Sequence, residues 1–113
     1  MFNLFQPKVP QVDAAEVNKA IAGHKDVVLL DVRTPEEYKE GHIRKSTLIP
    51  LQTLQQNISK LTDKSKTMYV YCRSGSRSAY AVRLLQKLGY TNVFNMNGGV
   101  LSWRAKGFDL QRD

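Results

Sequence analysis

Cysteine is nearly absent from this chain: Cys72 is the only one among 113 residues. A lone cysteine forms no internal disulfide, which excludes a small stapled extracellular scaffold. Histidine is almost as scarce, with only His24 and His42. A structural zinc site needs about four ligands at close spacing, and these residues do not supply them. No stretch approaches the roughly 20 consecutive apolar residues of a membrane-spanning helix. Repeats, low-complexity segments and linkers long enough to divide domains are also missing. The opening residues Met1 to Pro7 lack a basic start and a small-residue cleavage site, so they do not read as a signal peptide. A cytoplasmic location is the resulting expectation.

What is present suits one folded domain. A length of 113 residues is near the commonest domain size and suffices to bury a core without staples. The apolar fraction of 42% and charged fraction of 24% are ordinary for a globular protein. The net charge of +7 is unevenly placed: residues 1–56 carry seven Lys/Arg against seven Asp/Glu, and residues 57–113 carry ten against three. The basic half contains Cys72. Such a field suits a small anion or an acidic partner protein. Nucleic acid is the competing partner, but the basic residues form no run with interleaved aromatics and no nucleic-acid motif occurs. No membrane partner is expected. The plain alternative for the lysines after Asn57 is a solvated surface.

The hydrophobic pattern alternates between helix and strand. Asp13 and Glu16 have capping-box spacing before Val17, Ala20 and Ile21, which share one helical face, and Gly23 stops that helix. Val27 to Leu30 is a continuous apolar run, as in a strand buried on both faces. Thr34, Pro35 and Glu37 spell an N-cap, an N1 proline and an N3 acid, with Gly41 closing a short helix. Leu51, Leu54, Ile58 and Leu61 recur at roughly helical spacing. Met68 to Tyr71 and Val93 to Met96 are further strand candidates. Ala81, Leu84, Leu85 and Leu88 mark a helix face closed by Gly89, and Val100 to Lys106 reads as a last helix with Trp103 inward. Strands separated by helices imply crossover connections and a mostly parallel sheet covered on both faces. Ligand sites in such sheets lie at the carboxyl ends of strands, where Asp31 and Cys72 fall.

The central motif is a strand-end cysteine, a small polar loop with a glycine, then a helix. Sulfur reacts as thiolate, and a free cysteine has a pKa of about 8.5. A helix N-terminus and a tight loop aim unpaired N–H groups at an anion, and the helix dipole adds a positive end. Arg73 and Arg77 add formal charge. Gly75 permits a backbone conformation that a side chain hinders. Ser74, Ser76 and Ser78 offer hydroxyl donors, or one of them caps the helix. The rival reading is a cysteine packed as a small hydrophobe. It leaves the two arginines and the glycine without a purpose. Cysteine phosphatases place five residues between cysteine and arginine, whereas four separate Cys72 from Arg77. The smaller cradle suits one extra sulfur atom better than a phosphoryl group.

Four stretches, in order and at fitting spacing, resemble the rhodanese family from about Val12 to Phe108. They are Leu30-Asp31-Val32-Arg33 followed by Pro35-Glu36-Glu37-Tyr38; Gly41-His42-Ile43; Tyr71 to Ser78; and Asn97-Gly98-Gly99 followed by Trp103. The resemblance implies a small α/β domain over residues 12–113, with a mostly parallel central sheet flanked by helices on both faces and residues 1–11 as an N-terminal extension. The side chains of Phe2, Leu4 and Phe5 suit core packing, an interface or disorder. The resemblance also implies transfer of a sulfane sulfur from a small anionic donor such as thiosulfate to a thiol or cyanide acceptor, with no metal or organic cofactor. Cys72 then carries a persulfide held by the loop residues Arg73, Ser74, Gly75, Ser76, Arg77 and Ser78. Asp31 and Arg33 support the site electrostatically or form a structural ion-pair network. Glu37 is expected to cap and pack, His42 to be structural, Gly98 and Gly99 to form turns, and Trp103 to fill the core. The alternatives are a persulfide carrier in a protein relay, a cysteine phosphatase or arsenate reductase, and a non-catalytic interaction module.

Overall fold

A computed structural model describes residues 8–23, 26–61 and 63–112; Phe2, Leu4, Phe5 and His24 lie outside the described residues. Five strands form one parallel sheet: β1 (Gln11–Val12), β2 (Val28–Asp31), β3 (Ser46–Leu48), β4 (Met68–Tyr71) and β5 (Val93–Met96), in the spatial order β1-β5-β4-β2-β3. The sheet and its covering helices match the expected architecture. The two edge strands lie in stretches where the sequence pattern gives no strand signal, because each is only two or three residues long. Val9, just before β1, is already buried in the core.

The middle strands are apolar on both faces because both faces are covered. Alternate residues of β4 point to opposite sides: Met68 and Val70 join one cluster, Tyr69 and Tyr71 the other. The first cluster is covered by α3 (Leu54–Asn57) and α4 (Ser76–Lys87) through Leu54, Ala81, Val82 and Leu85. The second is covered by α1 (Ala14–Ala22) and α5 (Gly99–Ala105) through Val17, Ile21, Val100 and Trp103. Trp103 is fully buried and donates from its indole nitrogen to the Asp109 carbonyl at 2.8 Å, which satisfies its one polar atom.

Local signals account for most boundaries. Asp13 accepts from the Glu16 amide at 2.8 Å and caps α1. Thr34 and Glu37 form a complete capping box at the start of α2 (Pro35–Glu40). The stretch after Pro50 differs from the single helix its spacing predicts. It is a 3₁₀ turn at Leu51–Thr53, then α3, then a second 3₁₀ turn at Ile58–Lys60. Its apolar residues still reach the core, but no side chain caps the start of α3. Among the described residues no helix is long and apolar enough to cross a membrane.

Candidate active site

Register brings the carboxyl ends of β2 and β4 level, since Asp31 pairs with Tyr71 and Val70 with Asn95. Cys72 follows β4 directly, and the chain must enter α4 within three residues. Gly75 makes this possible. It is the N-cap of α4 with φ +113, a left-handed conformation that side chains disfavour. None of the serines caps the helix, which corrects one of the two roles expected for them. A neighbouring turn presses on the loop from α5. Gly98 and Gly99 both have positive φ. The amides of Val100 and Leu101 donate to the carbonyls of Cys72 and Arg73 at 2.9 and 3.1 Å. A Cβ on Gly99 would lie 2.4 Å from the Cys72 carbonyl oxygen, so only glycine allows this approach.

The loop closes around one sulfur atom. Cys72 is 1% exposed, with apolar neighbours on the α4 side of the sheet. Donors nonetheless point at it. The Gly75 amide lies 3.1 Å from Sγ, the Ser78 amide 3.4 Å and the Ser78 hydroxyl 3.3 Å. Burial pushes the thiol up, since a charge is costly away from water. The Ser78 hydroxyl and the amides of Ser78, Gly75 and Ser74 outweigh burial and leave it below its ordinary value. The donors are thus dipoles fixed by the fold. Neither arginine, expected to share this task, donates a hydrogen bond to the sulfur.

Arg77 forms a two-pronged ion pair with Glu37, at 2.8 Å from Nη1 to Oε1 and 2.9 Å from Nη2 to Oε2. Arg73, Ser74 and Ser76 are exposed. Arg73 lines a cleft of about 190 Å³ beside the loop, together with Arg33, Glu37, Glu40, Leu101 and Arg104 among others. Asp31 and Arg33 are both buried, at 0% and 5% exposure, and bind each other. Asp31 accepts from the Arg33 backbone amide at 2.9 Å, and the Arg33 guanidinium also donates to the Gly41 carbonyl at 2.7 Å. Their pair joins the end of β2 to the end of α2. His42 is buried, with its ring stacked on Tyr38 at 3.7 Å between centroids.

Asn95 escaped sequence reading. It is a buried amide in β5 whose Nδ2 donates to the Gly75 carbonyl at 3.3 Å and to Gln11 Oε1 at 3.2 Å, while its Oδ1 accepts from the Ser78 hydroxyl. The one signal was a polar residue inside the apolar run Val93-Phe94-Asn95-Met96. The Ser78 hydroxyl has one proton and three acceptors in reach: Cys72 Sγ, the Gly75 carbonyl and Asn95 Oδ1. Turning it to sulfur favours the thiolate. Ser78→Ala is therefore expected to move the pH profile of Cys72 alkylation to higher pH. Because a hydrogen bond to a charged group is worth ~1.5–3 kcal/mol, the rate at neutral pH should fall roughly tenfold or more. An unchanged profile would assign the thiolate's stability to the amides alone.

Comparison with known proteins agrees with this fold. The profile of the family described as Rhodanese-like domain matches residues 13–106. A sulfurtransferase of Allochromatium vinosum is 32% identical over 102 residues, spanning 90% of this chain and 94% of that protein. The thiosulfate sulfurtransferase PspE of Escherichia coli is 39% identical over 70 residues, spanning 61% of this chain and 67% of that protein. The crystal structure of a rhodanese-related protein from Thermoplasma volcanium superposes with a TM-score of 0.81 at 33% identity, covering 92% of this chain and 99% of that one. A match over nearly the whole packed region, with the same fold in a solved relative, settles the lineage: the chain belongs to the family of rhodanese-like domains.

Proposed function

We propose that this protein is a sulfurtransferase that carries a sulfane sulfur on Cys72 as a persulfide, taking it from a small anionic donor such as thiosulfate and passing it to a thiol or cyanide. The observation that supports this most is the ring of donors on Cys72 Sγ from Gly75 and Ser78. It stabilises an anionic sulfur without any cofactor.

In the first step the Cys72 thiolate attacks the outer sulfur of thiosulfate. A new S–S bond forms, the donor's S–S bond breaks, and sulfite leaves with the bonding pair. Cys72 is left as a persulfide anion. In the second step the acceptor, as thiolate or cyanide, attacks the outer sulfur, and Cys72 departs as the thiolate that began the cycle. No net proton or electron is needed. Splitting the transfer in two is covalent catalysis, and one donor ring serves both halves. The same amides that hold the thiolate face the sulfur through which it extends. The four residues between Cys72 and Arg77 leave a small cradle, which favours sulfur over a phosphoryl group. Turnover of an aryl phosphate is not expected.

Intact mass after incubation with thiosulfate tests the proposal. A gain of one sulfur atom, removed by cyanide or a thiol, is expected. A mass that stays constant at every thiosulfate concentration would overturn it.

A further inference from the structure

Arg77 was expected to face the anionic sulfur, yet its guanidinium is committed to Glu37. Both carboxylate oxygens receive an N–H from Arg77, and Oε1 also receives the Thr34 amide at 3.0 Å. Glu37 is thereby held from two sides: by the capping box of α2 and by the loop around Cys72. Arg77 directly precedes Ser78, whose amide and hydroxyl reach Sγ. Within residues 73–78 the charges are those of Arg73 and Arg77, and no acid offsets them. Glu37 brings the offsetting charge from another element. The pair holds the Glu37 carboxyl far below the usual range, at about 2, so it is ionised throughout the physiological range. Glu37 raises Arg77 most, through its hydrogen bonds, and the negative charge of Cys72 raises it further.

We propose that Glu37 is a positioning residue that limits the positive charge offered to Cys72. Its carboxylate competes with the thiolate, the persulfide and the donor anion for the same guanidinium. A guanidinium has five N–H donors and two point at Glu37, so Arg77 is shared rather than removed. The arrangement weakens the hold on anions and so favours departure of the sulfite formed in the first step. This deepens the sulfur-transfer reading and rests on it for one of its two readouts.

Glu37→Gln is the test. Glutamine is equally acceptable at the third position of a capping box, so α2 keeps its cap. It retains an oxygen for Thr34 and loses the charge. Arg77 then turns its full charge to the loop. Two shifts are expected together. The KM for thiosulfate falls about threefold or more without a rise in kcat, the scale expected from releasing a partly exposed ion pair. The pH profile of Cys72 alkylation by iodoacetamide moves to lower pH. Both shifts should vanish when Glu37→Gln is made in an Arg77→Gln background. Glu37→Asp, which keeps the charge on a shorter arm, should shift both readouts in the same direction by less. A purely structural role predicts the reverse: lower thermal stability, a higher KM and a profile moved to higher pH. A KM or a profile that stays put or rises, or a shift that survives without Arg77, overturns the proposal. Alkylation needs no sulfur transfer. If no protein takes sulfur from thiosulfate, the function proposed above fails, and the alkylation profiles alone decide the role of Glu37.

Discussion

The Cys72→Ser protein is expected to fold normally and to take up no sulfur from thiosulfate. Serine is close in size, and the position is buried beside Gly75 and Ser78, whose donors accommodate an oxygen as well as a sulfur. The hydroxyl is the wrong nucleophile for this step. Donors that lower a thiol do not bring an alcohol within range, and no general base contacts Sγ among the described residues. Turnover should fall by at least ~10³-fold, the scale on which loss of a nucleophile is felt elsewhere. Initial-rate assays with cyanide as acceptor measure it, alongside intact mass and thermal unfolding. A folded Cys72→Ser protein that still turns over thiosulfate would remove Cys72 from the chemistry.

Asp31→Ala is expected to cost stability rather than chemistry. Arg33 is 5% exposed and its guanidinium rests on both oxygens of Asp31 and on the Gly41 carbonyl. Removing the carboxylate leaves a buried cation with only the Gly41 carbonyl and the face of the Tyr71 ring, neither of which carries a negative charge. Breaking such a pair from one side costs ~3–5 kcal/mol, because the remaining charge stays desolvated. A domain of this size has a total of ~5–15 kcal/mol to lose. With a urea slope of ~1–3 kcal/mol per molar, the denaturation midpoint should drop by at least ~1 M. Replacing both partners by apolar residues of similar volume, as in Asp31→Leu with Arg33→Met, should recover much of the loss. Turnover per folded molecule should stay within about tenfold, since neither side chain contacts Sγ. A large fall in kcat with an unchanged urea midpoint would instead give Asp31 a part in the reaction.

Different parts of this site were legible to different degrees. The central strands β2, β4 and β5 are read from their apolar runs, because a strand covered on both faces is mostly apolar. The strands β1 and β3 are not, because their contribution is backbone pairing at the sheet edges rather than a side-chain pattern. Gly75 and Gly99 announce backbone needs that only glycine meets, but the nature of each need is tertiary. At Gly99 it is the carbonyl of Cys72, which lies 27 residues away in the chain.

The sequence by itself determined the α/β class, the strand-end position of Cys72 and the loop that turns into α4. These follow from local periodicity, caps and spacing, which act over a few neighbouring residues. Only the tertiary structure decided where the charges go. It turned Arg77 toward Glu37, forty residues distant, and set Asn95 behind Ser78. A guanidinium pairs with whichever carboxylate the fold brings within about 3 Å, and that choice depends on how helices and strands cross rather than on the order of residues along the chain.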